Sequence, residues 1–383
     1  MRLFTVALVK NLLDRIVVLT ARPTSPLSGV VIMRLDSIGD FFLWLDSAEQ
    51  LREIYPGEKL TLLANSTWAD LARNLPVFDE VIPVDSKSFL SKLCYRWKMI
   101  RLVRRRGFRI AVQTAFSREF FLNDSLMRAT GAHHRIGSQG NFSNIRPGLK
   151  RISDRWYTKL VAASDEPLCE LERNAEFVRG LGVTNYGAQR GQLPNVATLP
   201  EELRIAEPYF ILFPGASWTG RKWPINNFAT LLTTLQVRTG WVGVLCGSRD
   251  ERELCAAVIT ASGTHAVNFA GETSLAQFAE VVRGARILIG NETSAVHIAA
   301  AVNTPSVCIL GGGHYGRFMP YRVGGNSIPV PVVNVLECFG CNWKCIETYE
   351  TGSPVPCISS ITVEQVLKAV SGINVRDSNP SVQ

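Results

Sequence analysis

Short apolar runs alternate along the chain with longer segments in which apolar positions recur every three or four residues. The first run, residues 30–35, is followed by such a segment from residue 40 to about 55, which Pro56 and Gly57 end. A buried parallel strand reads as a continuous apolar run, whereas an amphipathic helix has the longer period. The repeated order therefore predicts parallel βαβ units. The next elements expected are strands at 60–63, 81–84 and 110–113 and helices at 68–74 and 89–106.

The same alternation restarts after a polar stretch, 191–208, which contains Gly and Pro and has no clear period. We interpret this stretch as a linker. Beyond it we expect strands at 209–213, 241–246, 287–289 and 306–310 and helices at 226–238, 249–261, 275–283, 294–302 and 363–370. The pattern predicts an α/β protein with two Rossmann-like domains, 29–190 and 209–372, and a ligand cleft between them at the carboxyl ends of the strands.

The chain begins with an apolar segment that carries a few charges. Lys10, Asn11, Asp14 and Arg15 share one helix face, and apolar residues cover most of the rest. The charges argue against a secretion signal. The sequence contains no run of about 18 uncharged apolar residues, so no membrane-spanning helix is predicted. We expect residues 1–28 to form an amphipathic helix and a linker, with the helix either on the inner-membrane surface or packed on the protein body. This predicts a cytoplasmic protein, with peripheral attachment to the inner membrane as an alternative. At the other end of the chain, residues 373–383 are predicted to be a disordered tail.

Positive charge is concentrated in one part of the chain. Residues 85–159 contain 17 Lys or Arg and 4 Asp or Glu, a net charge of +13 against +8 for the whole chain. Such an excess predicts a surface that meets an anionic partner, although a merely solvated basic face has the same composition. The cations are not interleaved with stacking aromatics and no nucleic-acid motif is present, so nucleic acid is not expected. A non-enzymatic binder of an anionic polymer, using residues 87–159, remains an alternative.

Three segments where a predicted strand runs into a helix carry candidate ligand-binding groups. The turn 34–40 lacks the GxGxxG order of dinucleotide sites, which disfavours a nicotinamide enzyme. Residues 213–224 combine small and hydroxyl side chains with two adjacent cations, a composition that suits a pyrophosphate. Residues 290–297 place hydroxyls and free N–H groups at a helix start, which again suits an anion, while Glu292 suits a sugar hydroxyl. The predicted donor-binding residues in the second and third segments are Ser217, Thr219, Arg221, Lys222, Glu292, Thr293, Ser294 and His297.

Taken together, these segments resemble those of glycosyltransferase family nine, which includes the ADP-heptose:lipopolysaccharide heptosyltransferases. The resemblance rests on the SIGD turn, the PGA…RKWP segment and the NETSAVHIAAA helix, in that order, and spans residues 30–361. It implies a GT-B fold and inverting sugar transfer from a nucleoside diphosphate donor, with ADP-heptose and a lipopolysaccharide or related glycan acceptor as the expected substrates. A nucleotide-sugar epimerase-type enzyme is the alternative of similar form.

The resemblance also implies individual roles. Asp40 matches the family's aspartate that deprotonates the acceptor hydroxyl, although the residue pattern alone equally suits a helix-capping aspartate. Lys222 matches the lysine that meets the donor diphosphate, and Glu251 matches an acid that contacts the nucleoside ribose. Ser37, Gly39 and Arg118 are predicted to lie on the acceptor side. Many heptosyltransferases have Asp-Thr-Gly where this chain has Glu-Thr-Ser at 292–294, so a donor sugar other than heptose stays open.

Four of the nine cysteines, Cys338, Cys341, Cys345 and Cys357, fall within a segment of 20 residues. Four thiolates suit a structural Zn²⁺ or iron, with disulfides or free thiols as the alternatives. We expect this segment, 338–357, to act on stability and not on the chemistry. No aspartate pair accompanies the donor segments, so no catalytic metal is expected.

Overall fold

The computed structural model describes residues 2–325 and 327–373, which divide into two compact units. Unit 1 contains the chain up to Phe41, Ser47–Glu166 and Glu172–Ala188, and unit 2 contains Phe42–Asp46, Pro167–Leu171 and the chain from Gln189 onward. The main change of unit, after Ala188, falls beside the predicted boundary at 190. The segment predicted as a linker, 191–208, belongs to unit 2. The predicted tail, 373–383, lies outside the described residues except for Ile373.

Unit 1 is built on a six-stranded sheet in which every pairing is parallel. Its strands are β1 (Ser28–Arg34), β2 (Leu60–Asn65), β3 (Glu80–Val84), β4 (Phe108–Gln113), β5 (His134–Ser138) and β6 (Lys159–Val161), in the order β3-β2-β1-β4-β5-β6. The helices of this half of the chain are α1 (Arg2–Thr20), α2 (Ile38–Phe42), α3 (Leu45–Ile54), α4 (Ala69–Ala72), α5 (Ser86–Ser91), α6 (Leu93–Arg106), α7 (Ser125–Thr130), α8 (Pro147–Asp154) and α9 (Glu170–Leu181).

Unit 2 has a second six-stranded parallel sheet. Its strands are β7 (Tyr209–Phe213), β8 (Val242–Leu245), β9 (Val267–Asn268), β10 (Leu288–Asn291), β11 (Ser306–Ile309) and β12 (Val330–Val332), in the order β12-β11-β10-β7-β8-β9. The helices are α10 (Ile225–Thr239), α11 (Arg252–Ser262), α12 (Leu275–Gly284), α13 (Ser294–Ala301), α14 (Pro356–Ser359) and α15 (Val363–Ser371).

Both sheets have the strand order of a Rossmann fold, as predicted. In each, the chain adds two strands to one side of the first strand and then returns to add three on the other side. The reversal falls between β1 and β4 in unit 1 and between β7 and β10 in unit 2. Loops leave the sheet in opposite directions at such a point, which opens a crevice at the carboxyl ends of the two central strands. The crevice in unit 2 is bordered by the segments that follow β7 and β10, which are two of the three candidate segments.

Helix α1 packs against unit 1 through one face. Asp14 forms a buried salt bridge of 2.5 Å with Arg96 of α6, and Val17 and Val18 pack against the core of the unit. The opposite face leaves three apolar side chains exposed, Leu12, Ile16 and Leu19, which are 59%, 50% and 80% exposed. Packing on the protein body therefore accounts for one face of this helix and leaves the other without a partner among the described residues. None of the described helices has the length and hydropathy to cross a membrane.

Candidate active site

The turn after β1 in unit 1 is held by a fully buried arginine. Arg34 ends the strand, pairs with Asp36 at 2.9 Å and donates to the side chain of Asn174 at 3.0 Å and to the Asp40 carbonyl at 3.3 Å. Trp68 donates its indole N–H to the Asp36 carbonyl at 3.0 Å. These bonds fix the backbone from which α2 starts, and sequence reasoning had not singled out Arg34.

The half-buried carboxylate of Asp40 turns back toward the start of α2. Its Oδ2 accepts the backbone N–H of Ser37 at 3.2 Å and the Ser37 hydroxyl at 2.5 Å. Both bonds stabilise the first turn of the helix, as the capping interpretation expects. A carboxylate held in one place by a hydroxyl and an N–H is also suited to receive a proton from a bound hydroxyl. The catalytic role of Asp40 and the acceptor-side roles of Ser37 and Gly39 stay predictions.

The structure places Arg118 inside unit 1. Its side chain is fully buried, forms a salt bridge with Asp154 and lies over the ring of Tyr157, 4.7 Å from the centroid. Burial raises the pKa of the nearby Asp124 carboxyl, which accepts the Tyr157 hydroxyl at 2.6 Å. The acceptor-side role of Arg118 also stays a prediction, and its partners here are those of a structural cation.

The loop after β7 in unit 2 is fastened by Asn291, a fully buried side chain at the end of β10. Its amide N–H₂ donates to the carbonyls of Pro214 and Gly215 at 2.8 and 3.3 Å, and its carbonyl accepts the backbone N–H of Trp223 at 3.1 Å. Trp223 is itself buried and donates to the Ile361 carbonyl at 2.8 Å. One amide therefore fixes both ends of the loop on which Lys222 and Arg221 lie. The position of Asn291, directly after a buried strand, is the signal that could have identified it.

The two cations of this loop have different surroundings. Arg221 is 18% exposed and forms a salt bridge of 3.2 Å with the buried Glu292, and it also donates to the Glu292 backbone carbonyl. Lys222 is half-buried, and among the described residues no carboxylate pairs with its ammonium group. Ser217 and Thr219 are exposed on the same loop. Of the two cations, Lys222 is thus the one whose charge is not neutralised by a described carboxylate and can pair with an anionic ligand.

Glu292 is the most perturbed acid of the site. It is 3% exposed, and burial raises its pKa to about 7 against the opposing attraction of Arg221. The Nδ1 atom of His314 lies 4.0 Å from one of its carboxylate oxygens. Near neutral pH this carboxyl can therefore accept a hydrogen bond when ionised or donate one when protonated.

Helix α13 begins immediately after this acid. The Thr293 hydroxyl accepts the backbone N–H of Ala295 at 3.4 Å and so caps the helix. His297, one turn inside, is 5% exposed and its Nδ1 lies 2.7 Å from the hydroxyl of Tyr321. Thr293 and Ser294 are therefore at the helix start, where N–H groups attract an anion, whereas His297 has the partner of a core residue.

The carboxylate of Glu251 borders the loop after β7. It accepts the backbone N–H and the hydroxyl of Ser248 at 2.8 and 2.9 Å, completing a capping box. A Cβ added to Gly215 would lie 2.0 Å from this carboxylate, so a larger residue there would displace the Glu251 side chain. Glu251 and the loop thus lie side by side in unit 2, and the contact of Glu251 with the nucleoside ribose stays a prediction.

The segment with the four clustered cysteines packs on the residues that follow β11, where the backbone N–H of Gly312 lies 3.5 Å from Sγ of Cys357. All four have free thiols; Cys357 is buried and the other three are half-buried. Burial raises the pKa of Cys357, the backbone N–H of Gly312 opposes this, and repulsion from the other three thiolates adds to it. Within residues 2–325 and 327–373, no group of three or more His, Cys, Asp or Glu side chains is arranged to hold a metal ion.

The cysteine segment, 338–357, also contacts the loop after β7, which sequence reasoning had not foreseen. Trp343, between Cys341 and Cys345, lies over the guanidinium of Arg221, with its centroid 5.3 Å from Cζ. The segment therefore packs on a candidate ligand-binding loop, and its expected action on stability and not on the chemistry stays a prediction.

Comparisons with known proteins identify the family of this chain. The family model described as glycosyltransferase family 9 (heptosyltransferase) matches residues 125–339, more than half of the chain. Lipopolysaccharide heptosyltransferase 2 of Salmonella typhimurium is 30% identical over 300 residues, which cover 72% of this chain and 80% of the relative.

Two solved structures are similar in fold. The Escherichia coli ADP-heptose LPS heptosyltransferase II matches with a TM-score of 0.66 at 18% identity, covering 90% of this chain and 97% of that one. The iron-containing dodecameric glycosyltransferase TibC from enterotoxigenic E. coli matches with a TM-score of 0.55 at 16% identity, covering 90% and 76%; it has also been solved with ADP-D-beta-D-heptose. The predicted GT-B fold is confirmed by these matches. The chain belongs to glycosyltransferase family 9, and it is a glycosyltransferase.

Proposed function

We propose that this enzyme transfers a heptose from ADP-heptose to a lipopolysaccharide core acceptor with inversion at the anomeric carbon. The observation that carries the proposal is that the loop with Arg221 and Lys222 lies beside the buried Glu292, which directly precedes the start of α13. A cation and a helix N-terminus suit a diphosphate, and a buried acid suits a sugar hydroxyl. The heptosyltransferase names of the similar proteins, two of which include ADP-heptose, support this choice of donor.

The proposed chemistry has two requirements. Asp40 takes the proton from the acceptor hydroxyl, which attacks the anomeric carbon from the face opposite the diphosphate. The departing diphosphate gains negative charge, which Lys222 and the free N–H groups at Thr293 and Ser294 stabilise. Each group acts where charge develops, so the chain's own residues can support the reaction.

Glu292 is the proposed recognition group for the sugar. Its side chain is one methylene longer than the aspartate of many heptosyltransferases, and Arg221 and burial restrict its position. We expect it to bond one donor hydroxyl and so to reject sugars that lack this hydroxyl, because the buried carboxyl would be left unpaired.

Incubation with a panel of ADP-, UDP- and GDP-sugars, with and without a heptose-deficient lipopolysaccharide, tests the proposal against its alternatives. We expect nucleoside diphosphate release only with ADP-heptose and acceptor together. Isomerised donor without acceptor would instead identify an epimerase-type enzyme. No affinity for any nucleotide would identify a binder of anionic polymers.

We also propose that the enzyme works at an anionic membrane surface, through α1 and α6 of unit 1. The exposed side chains Leu12, Ile16 and Leu19 follow the i, i+4, i+7 spacing of one helix face. Helix α6, which packs beside α1, exposes Lys98, Arg101 and Arg105 along its outer face. An apolar ridge next to a row of cations is the composition of a helix pair that rests on anionic lipid.

Co-sedimentation with vesicles checks this surface. We expect binding to phosphatidylglycerol vesicles that weakens with rising salt, and little binding to phosphatidylcholine vesicles. Replacing Lys98, Arg101 and Arg105 with alanine should reduce binding by about 100-fold, at about 1 kcal/mol per cation. Equal binding to both vesicles at all salt concentrations, or none to either, would contradict the proposal.

We further propose that Cys338, Cys341, Cys345 and Cys357 draw together around a structural metal ion, a rearrangement from the described structure, in which they are not grouped to hold one. The support is the chemistry of the donor set, four thiols without a carboxylate or imidazole, which suits Zn²⁺ or iron, and the description of TibC as iron-containing. A bound ion would supply a cross-link that constrains a segment with few apolar residues of its own.

Elemental analysis of protein purified without added metal tests this, and we expect close to one Zn or Fe per chain. Replacing Cys341 and Cys345 by serine should remove the ion and lower the melting temperature by several degrees, since each 1 kcal/mol shifts it by about 2–4 °C. Cys94→Ser, an exposed cysteine outside the cluster, is the control and should change neither. Metal-free wild-type protein whose cysteines titrate as free thiols would contradict the proposal.

A further inference from the structure

The cysteine segment is fastened to the Gly311–Gly313 stretch that follows β11. The backbone N–H of Gly340 donates to the Gly312 carbonyl at 2.8 Å, and that of Asn342 donates to the Gly313 carbonyl at 3.0 Å. A Cβ added to Gly313 would lie 2.2 Å from the Trp343 ring. Gly313 therefore allows the indole to lie directly on the backbone.

The backbone under the indole has an uncommon conformation. Asn342 and Trp343 have φ values of 51° and 61°, the left-handed region that side chains other than glycine seldom occupy. Such conformations cost of the order of 1 kcal/mol or more each and persist where surrounding contacts enforce them, often at ligand sites. Here they turn the Trp343 ring inward toward the loop after β7.

The ring of Trp343 contacts three side chains that border the proposed diphosphate and sugar site. It lies over the Arg221 guanidinium at 5.3 Å, meets the His314 ring edge-to-face at 5.5 Å and meets the Trp218 ring at 5.7 Å. Arg221 is thereby confined between an aromatic face and the Glu292 carboxylate. A guanidinium held on one side by a ring and on another by an acid has few alternative orientations.

Two buried donors remain without an acceptor in this part of the molecule. These donors are Nε of Arg221 and Nε1 of Trp343, and neither atom has a hydrogen-bond partner among the described residues. Buried N–H groups are seldom left unsatisfied, because each costs about 1–3 kcal/mol. Both carboxylate oxygens of the neighbouring Glu292 also lack a hydrogen-bond partner among the described residues. Unsatisfied donors and acceptors side by side indicate a ligand that brings both, as a sugar linked to a diphosphate does.

We propose that Trp343 is a positioning residue of the donor site, holding the Arg221 guanidinium in the orientation that meets the nucleotide sugar. The cysteine segment is then part of the donor site, and this inference rests on the proposed function. A ring on the guanidinium contributes through cation–π attraction and by excluding water, so its loss raises the donor Kd and KM by about tenfold. Turnover at saturating donor changes much less, since the proposed role of Trp343 is confined to binding the donor.

The test measures ADP binding by calorimetry and donor KM and kcat for matched variants of the full-length protein. Trp343→Ala is expected to raise the ADP Kd and donor KM about tenfold, and Trp343→Phe, which keeps an aromatic face, to restore most of the affinity. Phe339→Leu is the control, because Phe339 packs on Gly312 and Tyr315 in the same segment. It should leave both constants unchanged.

A double-mutant cycle separates positioning from a general loss of structure. If Trp343 acts through Arg221, Trp343→Ala in an Arg221→Ala background costs little beyond Arg221→Ala alone, because the cation that the ring holds is already gone. Additive losses overturn the inference, as does ADP binding by Trp343→Ala equal to that of wild type. Wild-type protein that binds no nucleoside diphosphate would instead overturn the proposed function itself.

Discussion

Replacing Asp40 by asparagine is expected to reduce kcat by about 10²- to 10⁴-fold, the contribution typical of a general base. Asparagine keeps the size of the side chain and an oxygen that can accept the Ser37 N–H, so the start of α2 should survive. It cannot take a proton from the acceptor hydroxyl. Donor affinity should be unchanged, because the proposed nucleotide contacts all lie in unit 2.

Steady-state kinetics with ADP-heptose and acceptor measure this effect, and calorimetry with ADP measures donor binding. Asp70→Asn is the matched control, since Asp70 is an exposed carboxylate of the same unit, with a side chain 89% exposed and paired only with Arg73 among the ion pairs of the described residues. It should retain wild-type turnover. If Asp40→Asn keeps most of its activity, Asp40 is a capping residue and the base lies elsewhere.

Removing the Lys222 ammonium is the change with the second largest expected effect. Lys222→Ala should lower kcat/KM by about 30- to 1000-fold, which corresponds to about 2–4 kcal/mol of transition-state stabilisation. The physical reason is that the departing diphosphate gains charge beside a half-buried cation that no carboxylate among the described residues neutralises. Lys222→Arg keeps the charge but changes the shape of the contact group. Its kcat/KM should therefore lie between that of the wild type and that of Lys222→Ala.

The control for this prediction is Lys368→Ala, which removes an exposed lysine from the last turn of α15 in the same unit. It should leave kcat/KM unchanged, so that an effect of Lys222→Ala cannot be ascribed to net charge. A kcat/KM for Lys222→Ala equal to wild type would show that the loop after β7 does not meet the leaving group.

The central strands could be predicted from sequence because buried parallel strands are continuous apolar runs. The strand expected at 209–213 is β7 with the same bounds, and the one expected at 306–310 differs from β11 by one residue. The outer strands β5 and β6 were missed. Their sequences, HRIGS and KLV, are short and partly polar, so they do not stand out from loops without their neighbours.

Helix breaks were harder to predict than helices. The segment expected as one helix at 40–55 is divided into α2 and α3, and that at 89–106 into α5 and α6. The second segment keeps its apolar period across the break because Phe89 of α5 packs in one core cluster with Met99, Ile100 and Val103 of α6. Lys92, for instance, leaves the helical conformation with a ψ of 108° although nothing in its local sequence requires it.

The site could be predicted only as far as local pattern reaches. The loop after β7 and the start of α13 were recognisable because each combines a strand end with anion-binding groups. The stacking of Trp343 on Arg221 was not, since more than 100 residues separate the two and neither has a periodic context. Likewise, the division of labour between Arg221 and Lys222 depends on which of them reaches Glu292, and adjacent cations in a sequence do not differ in that respect.

The most direct test of the central claim is mass spectrometry of heptose-deficient lipopolysaccharide after incubation with the enzyme and ADP-heptose. The account predicts that the acceptor gains one heptosyl unit and that one ADP appears for each unit transferred. ADP-heptose left intact, or consumed without any gain in acceptor mass, would contradict it.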